Sequence, residues 1–123
     1  MHIGVVEDNP AVLSMMETAL ALHGYSVETY SDQSSFLSAL ERAGRIPPFD
    51  LVLVDLFLDQ GSGIELVEAL RLVQPRAVPA ILISAAEESI LAPIRKRYPG
   101  LPILQKPFKM QELVSLINQT TSL

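Results

Sequence analysis

An α/β domain of the doubly wound (βα)5 kind, built on a five-stranded parallel sheet, is predicted by three features of the chain. Short apolar runs rich in β-branched residues alternate with segments of helical periodicity, which is the pattern of βαβ units. Two of these runs, LVLV at Leu51–Val54 and AILI at Ala80–Ile83, are apolar throughout, as strands covered by helices on both faces must be. The 123 residues, 49% of them hydrophobic, suffice for one core and for a single domain spanning 1–123.

The first strand is expected at about His2–Val6. Asn9 then offers an N-cap side chain, and Pro10 suits the first helical position, where the missing N–H has no partner in any case. Leu13, Met16 and Leu20 share one face of this helix, which the glycine of HGY at His23–Tyr25 closes. A second strand at Ser26–Tyr30 leads to a helix capped by Ser31 or Asp32, with Phe36 and Leu40 on its inner face and Gly44 and the IPP run as its terminator. The third strand, DLVLVD, ends at Asp55, and after the loop LFLDQGSG a third helix is marked by Ile64, Val67 and Leu70. The fourth strand, VPAILIS, ends at Ser84. In the segment EESILAPIRKRYPG that follows, an interior proline costs a helix about 3 kcal/mol, so the fourth helix is expected to start near Ala92 or to be kinked at Pro93. A short fifth strand at Pro102–Leu104 precedes QKPF, and the last helix carries Leu113, Leu116 and Ile117 before fraying into NQTTSL.

Composition removes several classes of function. The chain has no cysteine, hence no disulfide framework, thiolate zinc site or cysteine nucleophile. Nine basic against fourteen acidic residues give a net charge of −5, the wrong sign for neutralising phosphates, so no direct nucleic acid binding by this chain is expected. No apolar run approaches the roughly 18 residues of a membrane span, and MHIGVVED has neither a basic n-region nor a long apolar h-region. A cytoplasmic protein without membrane association is the resulting expectation. The RKR run at Arg95–Arg97 reads as a solvated helix face, Phe36 and Phe108 as core, and His2 and His23 carry no catalytic role.

In an open parallel α/β sheet the ligand site lies beyond the carboxyl ends of the strands. Glu7 and Asp8 follow the first strand, Asp55 and Ser84 end the third and fourth, and Lys106 comes within two residues of the end of the fifth. Singly, each reads more simply as a helix cap, a loop residue or a surface lysine. Jointly they put three carboxylates, a hydroxyl and an ammonium on one edge. Two unit charges about 4 Å apart repel by roughly 4 kcal/mol at an effective dielectric near 20, so the cluster calls for a cation. Lys106 offsets one charge, and an all-oxygen cluster suits a hard divalent ion such as Mg²⁺. With such an ion, a carboxylate can act as nucleophile toward a phosphoryl group, and Asp55 is the best placed.

The segments VVEDNP, DLVLVDLFLDQGSGIEL, ILISA and QKPF…EL together resemble the response-regulator receiver domains of two-component signalling, over essentially the whole chain. The resemblance implies a flavodoxin-like fold with strand order 2-1-3-4-5. It implies that Asp55 accepts a phosphoryl group from a histidine kinase or histidine phosphotransfer protein. Mg²⁺ would be held by Asp8 and Asp55, by Glu7 through water, and by the backbone carbonyl of Phe57. Ser84 and Lys106 would contact the phosphoryl group, and the Lys106–Pro107 bond would be cis. Such a domain is not an enzyme in the ordinary sense, since it catalyses only its own aspartyl phosphorylation and dephosphorylation, and it can form a homodimer.

The chain departs from the family pattern in its readout. Ile103 stands where receivers usually carry a rotating Tyr or Phe, Asp59 replaces a usual proline, and Pro93 interrupts the fourth helix. Phe57 and Ala86, at positions that influence water access, are both apolar and imply slow self-dephosphorylation. A pseudo-receiver, an interaction module that works without phosphorylation, is therefore the alternative. An aspartyl phosphatase would need a second acid where Phe57 stands, and a flavin carrier would need a hydroxyl- and glycine-rich loop after the first strand.

Overall fold

The computed structural model describes residues 1–44, 48–58, 61–72 and 77–121. Five strands, β1 (His2–Val6), β2 (Ser26–Tyr30), β3 (Leu51–Asp55), β4 (Ala80–Ser84) and β5 (Ile103–Gln105), form one sheet. All neighbouring pairs are parallel and the order is β2-β1-β3-β4-β5. The helices are α1 (Pro10–Leu22), α2 (Gln33–Ala43), α3 (Gly63–Arg71), α4 (Glu88–Arg97) and α5 (Met110–Thr121). No described helix is long and apolar enough to cross a membrane.

Two cores flank the sheet, and the alternation of side chains along each strand assigns residues to them. Val52 and Val54 join Phe36, Leu66, Leu70 and Leu91 under α2, α3 and α4. Leu51 and Leu53 join Met16, Leu20, Leu113 and Ile117 under α1 and α5. Every residue of β3 and β4 is buried, which explains why these two strands read as continuous apolar runs. Phe36 is fully buried and stacks on Phe49, while Phe108 packs partly buried on the opposite face.

Local rules set the helix starts. The Asn9 side chain accepts the Ala11 and Val12 N–H groups at 3.0 and 3.3 Å, ahead of Pro10. Of the two candidate caps for α2, Asp32 is the one used, accepting the Ser35 N–H at 2.7 Å. Gly44 ends α2 with φ 65°, a left-handed value that glycine adopts without a Cβ clash. Ile46, Pro47 and Asp59, which the sequence singles out, lie outside the described residues.

Three expectations are corrected. Helix α4 begins at Glu88, not near Ala92, with Pro93 in its interior. The proline removes only the bond to the Ser89 carbonyl, and Ser89 is exposed, so water can satisfy that oxygen. Burial of Leu91 and Ile94 against the core, and of Tyr98 at the helix end, holds the segment. The Tyr98 hydroxyl donates to Glu68 at 2.5 Å, and Arg71 and Arg97 lie over its ring. Helix α5 does not fray at Asn118 but continues to Thr121, where the Thr120 and Thr121 hydroxyls donate to the Leu116 and Ile117 carbonyls at 2.7 and 2.8 Å. Strand β5 lies one residue later than expected, at Ile103–Gln105.

Candidate functional site

Strand register builds the site. Val6 pairs with Val54, so the next residues, Glu7 and Asp55, stand side by side at the carboxyl ends of β1 and β3. Asp55 pairs with Ile83 and Ser84 with Gln105, which brings Ser84 and Lys106 to the same edge. The Glu7 N–H still bonds the Tyr30 carbonyl at 3.0 Å, and the Lys106 N–H bonds the Ser84 carbonyl at 2.8 Å, so both residues are fixed as extensions of the sheet. The Lys106–Pro107 bond is cis.

The Lys106 ammonium donates to Asp55 Oδ2 at 2.8 Å and to Glu7 Oε2 at 3.3 Å. The other Asp55 oxygen, Oδ1, accepts the Phe57 N–H at 2.9 Å, and Glu7 Oε1 accepts the Asn9 N–H at 3.2 Å. Both carboxylates are almost fully buried, at 4% exposure for Glu7 and 9% for Asp55. One ammonium cannot fully compensate two such buried charges. Burial, together with the neighbouring Asp55, pushes the Glu7 carboxyl up from 4.5 to about 7. Burial also acts to raise Asp55, but hydrogen bonds from Glu7, Lys106 and the Phe57 N–H outweigh it and hold Asp55 below its ordinary value. For Lys106, burial opposes the charge while Asp55 and Glu7 favour it, and the carboxylates prevail. Within the pair, a proton is thus held more tightly by Glu7 than by Asp55.

Ser84 is fully buried, and its hydroxyl oxygen accepts the Ala86 N–H at 2.9 Å, which leaves the hydroxyl hydrogen as a donor. Asp8, half-buried, directly follows Glu7. Among the described residues, no three acidic or histidine side chains are already gathered as a metal site; the acids brought together are Glu7 and Asp55, around Lys106. Phe57 turns an exposed ring outward while its backbone pairs with Ser62 in an isolated bridge. Ile103 is half-buried against the core beneath α4, and His2 and His23 pair with Glu28 and the Ala19 carbonyl, away from the site.

One residue of the site escaped the sequence reading. A Cβ at Gly63 would come 2.3 Å from the Asp55 carbonyl oxygen, so the start of α3 packs directly against the backbone of Asp55. Its N–H also bonds the Leu56 carbonyl at 2.9 Å. The only signal in the sequence is GSG just before the third helical pattern, which reads equally well as a flexible turn.

Comparison with known proteins agrees with this geometry. The sequence model of the response regulator receiver domain matches residues 3–118. The transcriptional regulatory protein MalR of Bacillus subtilis is 32% identical over 119 residues, covering 96% of this chain and 49% of that protein. The KDP operon transcriptional regulatory protein KdpE of Escherichia coli is 35% identical over 112 residues, covering 91% of this chain and 47% of that protein. The chain thus spans about half the length of the curated relatives it matches. Among solved structures, the chemotaxis protein CheY4 of Vibrio cholerae superposes with a TM-score of 0.82 at 23% identity, covering 97% of each chain, a likeness of fold. With the family pattern matched along nearly its whole length and the sheet order it requires observed, the chain belongs to the response regulator receiver domain family.

Proposed function

We propose that this chain, 1–123, is one receiver domain working as a phosphorylation-controlled switch, with Asp55 as phospho-acceptor and a histidine kinase or histidine phosphotransfer protein in the cytoplasm as donor. The observation that carries this is the position of Asp55, buried at the end of the central strand with each oxygen held, Oδ2 by Lys106 and Oδ1 by the Phe57 N–H. A carboxylate so held is kept ionised, and its lone pairs are oriented for attack on phosphorus. As the O–P bond forms, the bond from phosphorus to the donor's nitrogen or oxygen breaks and its electron pair leaves with the donor. Lys106 meets negative charge on the phosphoryl oxygens, and the Ser84 hydroxyl donates to one of them.

The donor chemistry of the site fits Mg²⁺. Its acids supply only hard oxygen ligands, and Mg²⁺ commonly takes one or two carboxylates with the rest of its shell from water, so a ready-made cage is not required. Asp8, Asp55 and the Phe57 carbonyl would hold it, with Glu7 through water. When bound, the ion neutralises charge on the transferring group. Intact mass after incubation with acetyl phosphate or phosphoramidate, with and without Mg²⁺, tests the proposal. A Mg²⁺-dependent gain of one phosphoryl group that vanishes in Asp55→Asn is expected. No gain under any condition would refute it and favour the pseudo-receiver, the reading that Ile103 supports.

A further inference from the structure

The loop between β3 and α3 addresses Asp55 through the Phe57 backbone, and the structure shows what holds that loop from outside. At its base, Phe57 bridges Ser62, the Ser62 hydroxyl oxygen accepts the Ile64 N–H at 3.2 Å, and Gly63 seats on the Asp55 backbone. Gly61, just ahead of α3, rests on a different element. Gly61, at φ 104°, packs so tightly on the first residue of α2 that an added Cβ would lie 1.6 Å from Gln33 Oε1 and 2.8 Å from its Cδ. The other end of the same amide, Gln33 Nε2, donates to Glu65 Oε2 in the first turn of α3 at 2.8 Å. Gln33 thus lies between Gly61 and the first turn of α3, its Nε2 hydrogen-bonded to Glu65 and its Oε1 filling the space beside Gly61.

We infer that Gln33 is a positioning residue for Asp55, its amide acting through Gly61 and Glu65 to hold the loop so that the Phe57 N–H and carbonyl stay in register with the acceptor. It touches no reacting atom. Its effect passes along a continuous path: Gln33 to Gly61 and Glu65, through the Ser62–Phe57 bridge, to the N–H that fixes Asp55 Oδ1 at 2.9 Å. Freed from these contacts, the loop would present the Phe57 groups in a wider range of positions, weakening the Mg²⁺ site and slowing phosphoryl transfer together. The inference rests on Asp55 being the acceptor.

The discriminating variant is Gln33→Glu. An acidic residue at the first position of α2 favours that helix through its dipole, so folding is retained, while the new carboxylate opposes Glu65 and breaks the hydrogen bond to it. Loss of one hydrogen bond's worth of ordering predicts a two- to tenfold slower gain of phosphate from acetyl phosphate and a comparable loss of Mg²⁺ affinity by titration calorimetry, about the range of a single such bond. The double variant Gln33→Glu with Glu65→Gln restores a donor and an acceptor in reversed order and should recover at least half of both losses. Unchanged rate and affinity in the single variant would overturn the inference, as would a loss that the double variant fails to recover, since that loss would be unrelated to the Glu65 pairing. A wild-type domain that gains no phosphate would overturn the proposed function and this inference with it.

Discussion

Replacing Gly63 by alanine would put a methyl carbon 2.3 Å from the Asp55 carbonyl oxygen, 3.0 Å from its carbonyl carbon and 3.0 Å from Val54 Cγ1. Carbon finds its optimum against other heavy atoms at about 3.5–4.0 Å, so α3 and the end of β3 must separate by roughly 1 Å. The obstacle is strand backbone, which cannot rotate away as a flexible side chain would. Overpacking of this kind costs about 1–3 kcal/mol, and the better helix propensity of alanine returns at most about 1 kcal/mol. A net loss near 1–2 kcal/mol is expected, which at a urea m-value of about 1–3 kcal/mol/M lowers the unfolding midpoint by roughly 0.3–2 M with m unchanged. The same movement shifts Asp55 relative to Lys106, now 2.8 Å away, so phosphate uptake should fall more than stability alone accounts for. A midpoint equal to or above wild type would refute the close-packing argument, and normal uptake in a destabilised variant would refute its link to the acceptor.

Two further outcomes are expected. Because burial, then Asp55, raises the Glu7 carboxyl from 4.5 to about 7, the folded protein keeps a proton that the unfolded chain releases. The associated stability is fully present below the lower value and is lost as pH rises through the upper one, amounting to about 2–3 kcal/mol between roughly pH 5 and pH 8 in metal-free buffer. Urea midpoints across that range should decline for wild type and stay level for Glu7→Gln; parallel slopes for the two proteins would disprove it. Pro93→Ala returns an N–H to the exposed Ser89 carbonyl inside α4 and should raise stability by about 1–2 kcal/mol after allowing for the freer unfolded chain. A lower melting temperature for that variant would show that the proline is accommodated by something other than solvation of Ser89.

Where a feature depends on neighbours in sequence, it could be read before folding. Asn9–Pro10 opens α1 because the cap and the ring act within one turn, and β3 and β4 announce themselves because burial on both faces leaves no polar position before their last residues, Asp55 and Ser84. The expected start of α4 near Ala92 fails for the same reason in reverse, while the alternative of a helix running through Pro93 fits the observed span. The rule against interior proline is local, whereas the burial of Leu91 and Tyr98 that overrides it comes from strands and helices distant in the chain. Gly63 passed unnoticed because its constraint is a contact with Asp55 that no spacing reveals.

The alternation of apolar runs and helical periods was therefore enough to dictate a parallel α/β sheet, and the residues at strand ends were enough to nominate Glu7, Asp8, Asp55, Ser84 and Lys106. Packing alone decided which of them meet. Lys106 reaches Glu7 across 99 residues only because β4 and β5 pair in one register and not in another. Burial of the pair, a property of the assembled domain, then raises the Glu7 carboxyl while hydrogen bonds hold Asp55 below its ordinary value. Side-chain identity is carried by the chain, but distance and dielectric environment exist only once the sheet has closed over its two cores.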